Sequence, residues 1–249
     1  MLTAADIAEK ISFVMLSIAF TVALLMGIYL SITGLNKRPG CRFLGLLCIL
    51  MGVTILHHFC ILLGIYEEQP DRLFMPIYYT LWFGPSLFFA VKLRLYPSYQ
   101  LRWTDLKHAI LPAGQLIYFI VLFNMPVDVR QGMGRNFFSP FYGAMEMLLY
   151  ITTFYAYLYS AYRFVRYRFA RLRNAEGELR REIHLLKRFL KVLLILFWIN
   201  SGYIITDFLA YQILDVNLHK APGFTRFGDI SFALMTIWVA WGGWRIFRK

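Results

Sequence analysis

Seven apolar stretches, near 11–35, 43–66, 73–95, 108–126, 138–162, 189–214 and 227–247, are separated by short polar loops along the whole chain. Each approaches the roughly 20 residues that an α-helix needs to cross about 30 Å of hydrocarbon. Backbone amides find no water inside a bilayer, so spans of this length must satisfy their hydrogen bonds internally, as helices do. The expected fold is an all-α integral membrane protein, a seven-transmembrane helix bundle forming one domain over residues 1–249 with no room for a separate soluble domain.

The basic residues are sorted among the gaps. Of 26 Lys and Arg, 20 fall in alternate ones: Lys37, Arg38 and Arg42; Lys92, Arg94, Arg102 and Lys107; ten from Arg163 to Lys191; and Arg245, Arg248 and Lys249. The other face holds Lys10, Arg72, Arg130, Arg135, Lys220 and Arg226, diluted by acidic residues that include Glu67, Glu68, Asp128 and Asp229. By the positive-inside rule the N-terminus lies outside and the C-terminus in the cytoplasm, which implies multi-pass insertion in a cell inner membrane. A formal charge of +12 invites a nucleic-acid reading. Its placement beside span ends, where anionic headgroups attract it, points to membrane lipids instead, with no direct nucleic-acid binding.

A hydrophobic content of 59% and a mean hydropathy of +0.55 agree with membrane insertion. Cys41, Cys48 and Cys60 have neither zinc nor disulfide spacing, so no disulfide is expected. The first apolar run is too long for a removed signal peptide and is expected to be retained as a helix. Residues 163–191 read as a basic cytoplasmic hairpin: two helices extending the fifth and sixth spans and broken near Asn174-Ala175-Glu176-Gly177. Leu179, Ile183, Leu186 and Leu190 share one face of its second arm. Arg166, Arg171, Arg173, Arg180 and Arg181 are its candidate contacts to lipid or a partner. Of the prolines in the spans, only Pro85, preceded by Gly84, is expected to bend a helix inside the membrane. Pro140 falls in a first turn, where a missing amide costs little.

Ionisable groups inside hydrocarbon are expensive and mark candidate sites. His57 and His58 in the second span, Glu146 in the fifth and Asp207 in the sixth all fall roughly 10–14 Å below the outer surface, at 1.5 Å per residue. Adjacent His57 and His58 point about 100° apart, so one of them faces any given pocket. Asn200, Ser201, Thr206, Gln115, Tyr78, Tyr79 and Trp82 could add polar edges and aromatic walls to an outward cavity for a small hydrophobic or amphipathic ligand. The same layer also fits a hydrogen-bonded packing network or acid–base chemistry. One histidine with Glu146 and Asp207 is an acceptable metal-ligand set, but no HExxH or paired-histidine motif accompanies it, and no metal or other cofactor is assigned. The EExxxR string Glu67-Glu68-Gln69-Pro70-Asp71-Arg72 of intramembrane CAAX-type proteases lies here in a proline-interrupted loop without the accompanying histidine motif. The seventh span has no lysine for a retinal Schiff base.

Short segments carry a family resemblance. Leu56-His57-His58-Phe59, Gly64-Ile65-Tyr66 and Leu81-Trp82-Phe83-Gly84-Pro85-Ser86-Leu87-Phe88-Phe89 resemble the membrane portion of bacterial seven-helix sensor regulators. Asp105-Leu106-Lys107-His108-Ala109-Ile110-Leu111-Pro112, Leu185-Leu186-Lys187-Arg188-Phe189-Leu190 and Trp241-Gly242-Gly243-Trp244-Arg245 are similar to later segments of the same family. There the last helix leads into an AraC-type DNA-binding domain or a histidine kinase, whereas this sequence stops at Lys249. The resemblance implies sensing through a separate partner and supplies no ligand and no catalytic residue. Three functions are therefore expected to compete: a receptor-like sensor with an outward polar cavity, a small membrane enzyme acting on a lipid-like substrate through Glu146 or Asp207, and an accessory subunit of a membrane complex.

Overall fold

The computed structural model describes residues 4–34, 39–132, 142–171, 177–218 and 221–247, and these are all-helical, with no strand among them. Its helices are α1 (Ala4–Thr33), α2 (Pro39–Leu62), α3 (Ile65–Glu68), α4 (Thr80–Leu95), α5 (Ile110–Phe123), α6 (Val127–Gly132), α7 (Tyr142–Arg171), α8 (Gly177–Ile213), α9 (Pro222–Ile237) and α10 (Gly243–Phe247). A π-helical turn, Trp238–Gly242, joins the last two into one continuous rod. There Gly242 and Gly243 let the Phe189 ring and Leu44 approach the backbone.

Five helical segments are long and apolar enough to cross a membrane: Asp6–Thr33, Gly40–Leu62, Trp103–Phe123, Arg180–Tyr211 and Gly223–Phe247. Their outward faces carry Ile11, Ile18, Leu25, Ile117, Val121, Ile195, Ile199 and Leu209. Apolar side chains on that scale are stable outside a bundle when the surroundings are lipid. The two remaining expected spans behave differently. Residues 73–79 are not helical, which corrects the expected start of the third span: Phe74 takes a left-handed φ of 63°, and Pro76 holds the preceding backbone away from helix. α4 is therefore 16 residues, about 24 Å. α7 is long enough at 30 residues, but its tyrosines and arginines lower its hydropathy.

The long helices close a ring in which α1 packs on α2, α2 on α4, α4 on α7, α7 on α8, α8 on α9, and α9 back on α1. α5 stands outside it, against α4. The ring interior is apolar and aromatic, built on Leu47, Met51, Ile55, Phe83, Phe154, Phe197 and Phe232. Gly84 lets α4 approach α7 closely, since a Cβ there would lie 2.6 Å from the Tyr157 ring. Pro85 sits in the second turn of α4, near its start rather than mid-helix.

Two ends of the bundle differ chemically. At one, Arg94 pairs with Glu182, Lys92 lies 3.6 Å over the Tyr99 ring, and Arg168 lies over Tyr96. This is the basic end. At the other, Gly64 takes the left-handed conformation just after α2, and segment 65–79 returns along α2, where Tyr66 meets His57 and the Tyr79 amide meets Thr54. Buried Arg130 clasps that segment, its guanidinium donating to the carbonyls of Asp71 and Leu73 at 2.8 and 2.9 Å.

Candidate functional site

His57 and His58 lie in the last two turns of α2, and their rings diverge as adjacent helical positions must. His57 Nδ1 is 2.9 Å from the Tyr66 hydroxyl, and its ring meets Tyr78 edge-on at 5.1 Å. Tyr78 also meets the Phe119 ring of α5 edge-on at 6.0 Å, and Glu146 and Tyr150 lie near enough to interact with it electrostatically. Gln115, reaching in from α5 and only 5% exposed, ties the group together. Its Nε2 donates to Glu146 Oε1 at 2.6 Å and to Thr80 Oγ1 at 3.0 Å, and its Oε1 accepts from the Leu81 amide at 3.0 Å. Amides in the first turn of a helix have no partner within it. Gln115 therefore caps α4 and holds a carboxyl at once, while Thr54 of α2 accepts from the neighbouring Tyr79 amide.

His58 serves a second group. Its Nδ1 lies 2.9 Å from Asp229 Oδ1, and its ring stacks on Phe232 at 5.0 Å. Arg226, one turn before Asp229 on α9, reaches Oδ2 of the same carboxylate at 3.3 Å. The Arg226 carbonyl in turn accepts from Ser12 of α1. A buried carboxylate is tolerated when its charge and lone pairs are matched, and this one has a guanidinium and an imidazole. Asp229 thus bridges α2 to α9 beside α1.

The candidate residues fall into two adjoining groups. His57 and Tyr78 belong with Gln115 and Glu146, and His58 belongs with Asp229, although the two imidazole rings meet edge-on at 6.2 Å. Asp207 is buried on α8 one turn beyond Tyr203, on the same side of that helix. Asn200 donates to Ser231 across the α8–α9 contact at 3.0 Å. Trp82 lines a distinct cleft facing the basic end, with Phe43, Arg102 and His108. Arg166, Arg171, Arg180 and Arg181 are exposed, Arg171 over the Tyr167 ring at 4.4 Å; Arg173, the 174–176 turn and Pro140 lie outside the described residues. In the second arm of the hairpin, Ile183, Leu186 and Leu190 are buried. Among the described residues no three His, Cys, Asp or Glu side chains come close enough to hold a metal ion, and the three cysteines are buried thiols.

Sequence reasoning missed Asp229 with Arg226, Tyr66 and Arg130. Asp229 and Arg226 counted only among the charges of one face, although Asp229 falls inside the 227–247 stretch; their i,i+3 spacing at its start was the available signal. Tyr66 and Arg130 carried none, because their partners are brought to them by the fold of segment 65–79. Chemically, the first cluster offers an imidazole, phenols, a carboxyl and an amide around one locus, a set able to exchange hydrogen bonds with a polar ligand group. No protein family, curated protein or solved structure matches the chain.

Proposed function

We propose that this chain is a receptor-like protein of a bacterial inner membrane, with seven spans, the N-terminus outside, and the basic end in the cytoplasm. In this reading α4 and α7 supply the two further spans beside the five apolar ones. An outward-facing polar cavity centred on His57, Tyr78 and Glu146 takes a small amphipathic ligand. One observation carries it: these three groups converge from α2, segment 65–79 and α7, and Gln115 couples them to the first turn of α4.

A ligand group that takes over the hydrogen bond between Gln115 and Glu146 changes what holds that turn. At its other end α4 carries Arg94, which contacts Glu182 of α8 and the Ile246 carbonyl of α10. Binding that favours one seating of α4 over another thereby reaches the exposed arginines of the basic hairpin, where a separate partner reads it. The shift is set by the ligand's unequal affinity for the two seatings.

Two measurements test this. Single cysteines at Lys10 and Thr104 are separated by three spans in the seven-span arrangement, so an impermeant maleimide applied to intact cells must label Lys10→Cys and spare Thr104→Cys. Labelling of both removes the arrangement. For the cavity, amphipathic compounds that raise the melting temperature of the purified protein must lose that effect in Glu146→Gln and His57→Phe. Unchanged shifts in both variants place binding elsewhere.

A further inference from the structure

The cleft that holds Trp82 has a composition that no reading of the polar clusters uses. It has a volume of about 160 Å³ and lies between α2, α4 and the 3₁₀ turn Trp103–Ala109 that enters α5. Its walls are Phe43, Leu46, Trp82, Pro85, Phe89 and Leu106. Trp82 to Phe89 is seven residues of α4, a wall about 10 Å long at 1.5 Å per residue. A dry apolar cavity of about 150 Å³ accepts a molecule the size of benzene. A space of similar volume drawn out over two helical turns suits a run of methylenes in single file.

The rim is amphipathic. Trp103 is 88% exposed, and Leu101, Leu106 and Ile110 project beside it. Indole and leucine side chains standing free next to exposed Arg102 and Lys107 are placed as residues at a headgroup boundary are. The acidic group at the mouth is already engaged: Asp105 accepts from the Tyr99 hydroxyl at 2.8 Å and the Arg102 amide at 2.9 Å, with Lys92 at 3.9 Å. Arg102 therefore sets the sign that the mouth presents to a ligand. On the inner wall, Ser86 Oγ is buried without a hydrogen-bond partner among the described residues, a donor unmatched by protein.

We propose that this cleft is a binding site for one anionic phospholipid, its acyl chain laid along α4 between Trp82 and Phe89 and its phosphate held at Arg102. The occupant follows from charge and shape together: an apolar slot opening at a basic, tryptophan-marked rim fits a molecule with a hydrocarbon chain and a phosphate, and guanidinium binds phosphate through paired hydrogen bonds. The site shares no lining residue with the His57 cluster, which meets α4 at Thr80 and Leu81.

Native mass spectrometry of the whole chain, released from micelles containing equal phosphatidylglycerol and phosphatidylcholine, tests it. One retained phosphatidylglycerol is expected, favoured over phosphatidylcholine by about ten-fold, the scale of one charge-assisted contact. Arg102→Gln should erase that preference while a lipid is still retained. Ala109→Phe, from the rim, and Ser86→Phe, from the wall, should each abolish retention by filling the slot. Either filling variant suffices if the other fails to fold. Retention unchanged in a folded filling variant overturns the site, and a preference that survives Arg102→Gln overturns the assignment of the headgroup.

Discussion

The two ends of α4 solve the problem of placing polar groups at a bundle edge in opposite ways. At the basic end, Arg94 meets Glu182, whose side chain stays 37% exposed, and the Phe247 ring flanks the guanidinium. Such pairs contribute little to stability, because water and salt compete with them. At the opposite end, Gln115, Arg130 and Asp229 are all buried, and each holds together segments far apart in sequence. A charge or amide taken out of water must be matched by partners, so losing one partner there leaves an uncompensated group. The buried end sets which segments meet.

The contrast predicts an order of effects on unfolding in mild detergent. Asp229→Asn is expected to be worst: it leaves Arg226 charged and partly buried beside a neutral amide, a loss of about 3–5 kcal/mol for a broken buried pair. Denaturant titration followed by circular dichroism would read it. Arg130→Ala orphans the carbonyls of Asp71 and Leu73, and about 2–3 kcal/mol is expected from the loss of charge-assisted bonds. Freed from this clasp, segment 65–79 should exchange its amide hydrogens faster, while α4 beyond Leu87 stays protected. Gln115→Leu removes three hydrogen bonds between helices, each modest in a membrane setting, for about 1–2 kcal/mol in all. Arg94→Ala should cost least, about 0–1 kcal/mol, and that small loss should vanish in high salt. If Arg94→Ala proves more damaging than Gln115→Leu, the distinction between the two ends fails.

The same distinction separates what was legible in the sequence from what was not. Long apolar runs follow from local composition, and five helices long and apolar enough to cross a membrane emerge from them, while the 43–66 stretch is shifted to Pro39–Leu62 in α2. Residues 73–79 misled because Leu73, Phe74, Ile77 and Tyr78 are apolar or aromatic enough to read as span, while Pro76 and the left-handed Phe74 remove the helix. For the site, depth counting singled out His57, His58 and Glu146, and Gln115 as a polar edge. It could not show that Gln115 caps Leu81, since that bond joins residues 34 apart on different helices. Helical geometry set His57 and His58 about 100° apart but left open which of them joins Glu146, because that depends on which helices flank α2. Net-charge bookkeeping hid Asp229, because a carboxylate that cancels a loop arginine on paper is here the partner of a histidine 171 residues away.

The closure of the ring by α1 on α9 has a consequence in time. During synthesis α1 enters the membrane before α9, so one flank of α1 must wait, facing lipid, until α9 has been made. Until then Ser12 and His58 lack the partners that α9 brings them. Arrival of Arg226 and Asp229 fills both needs in a single docking event, so the late helix acts as a latch. Assembly that stalls before it leaves polar groups facing lipid, the kind of surface that membrane quality control can recognise.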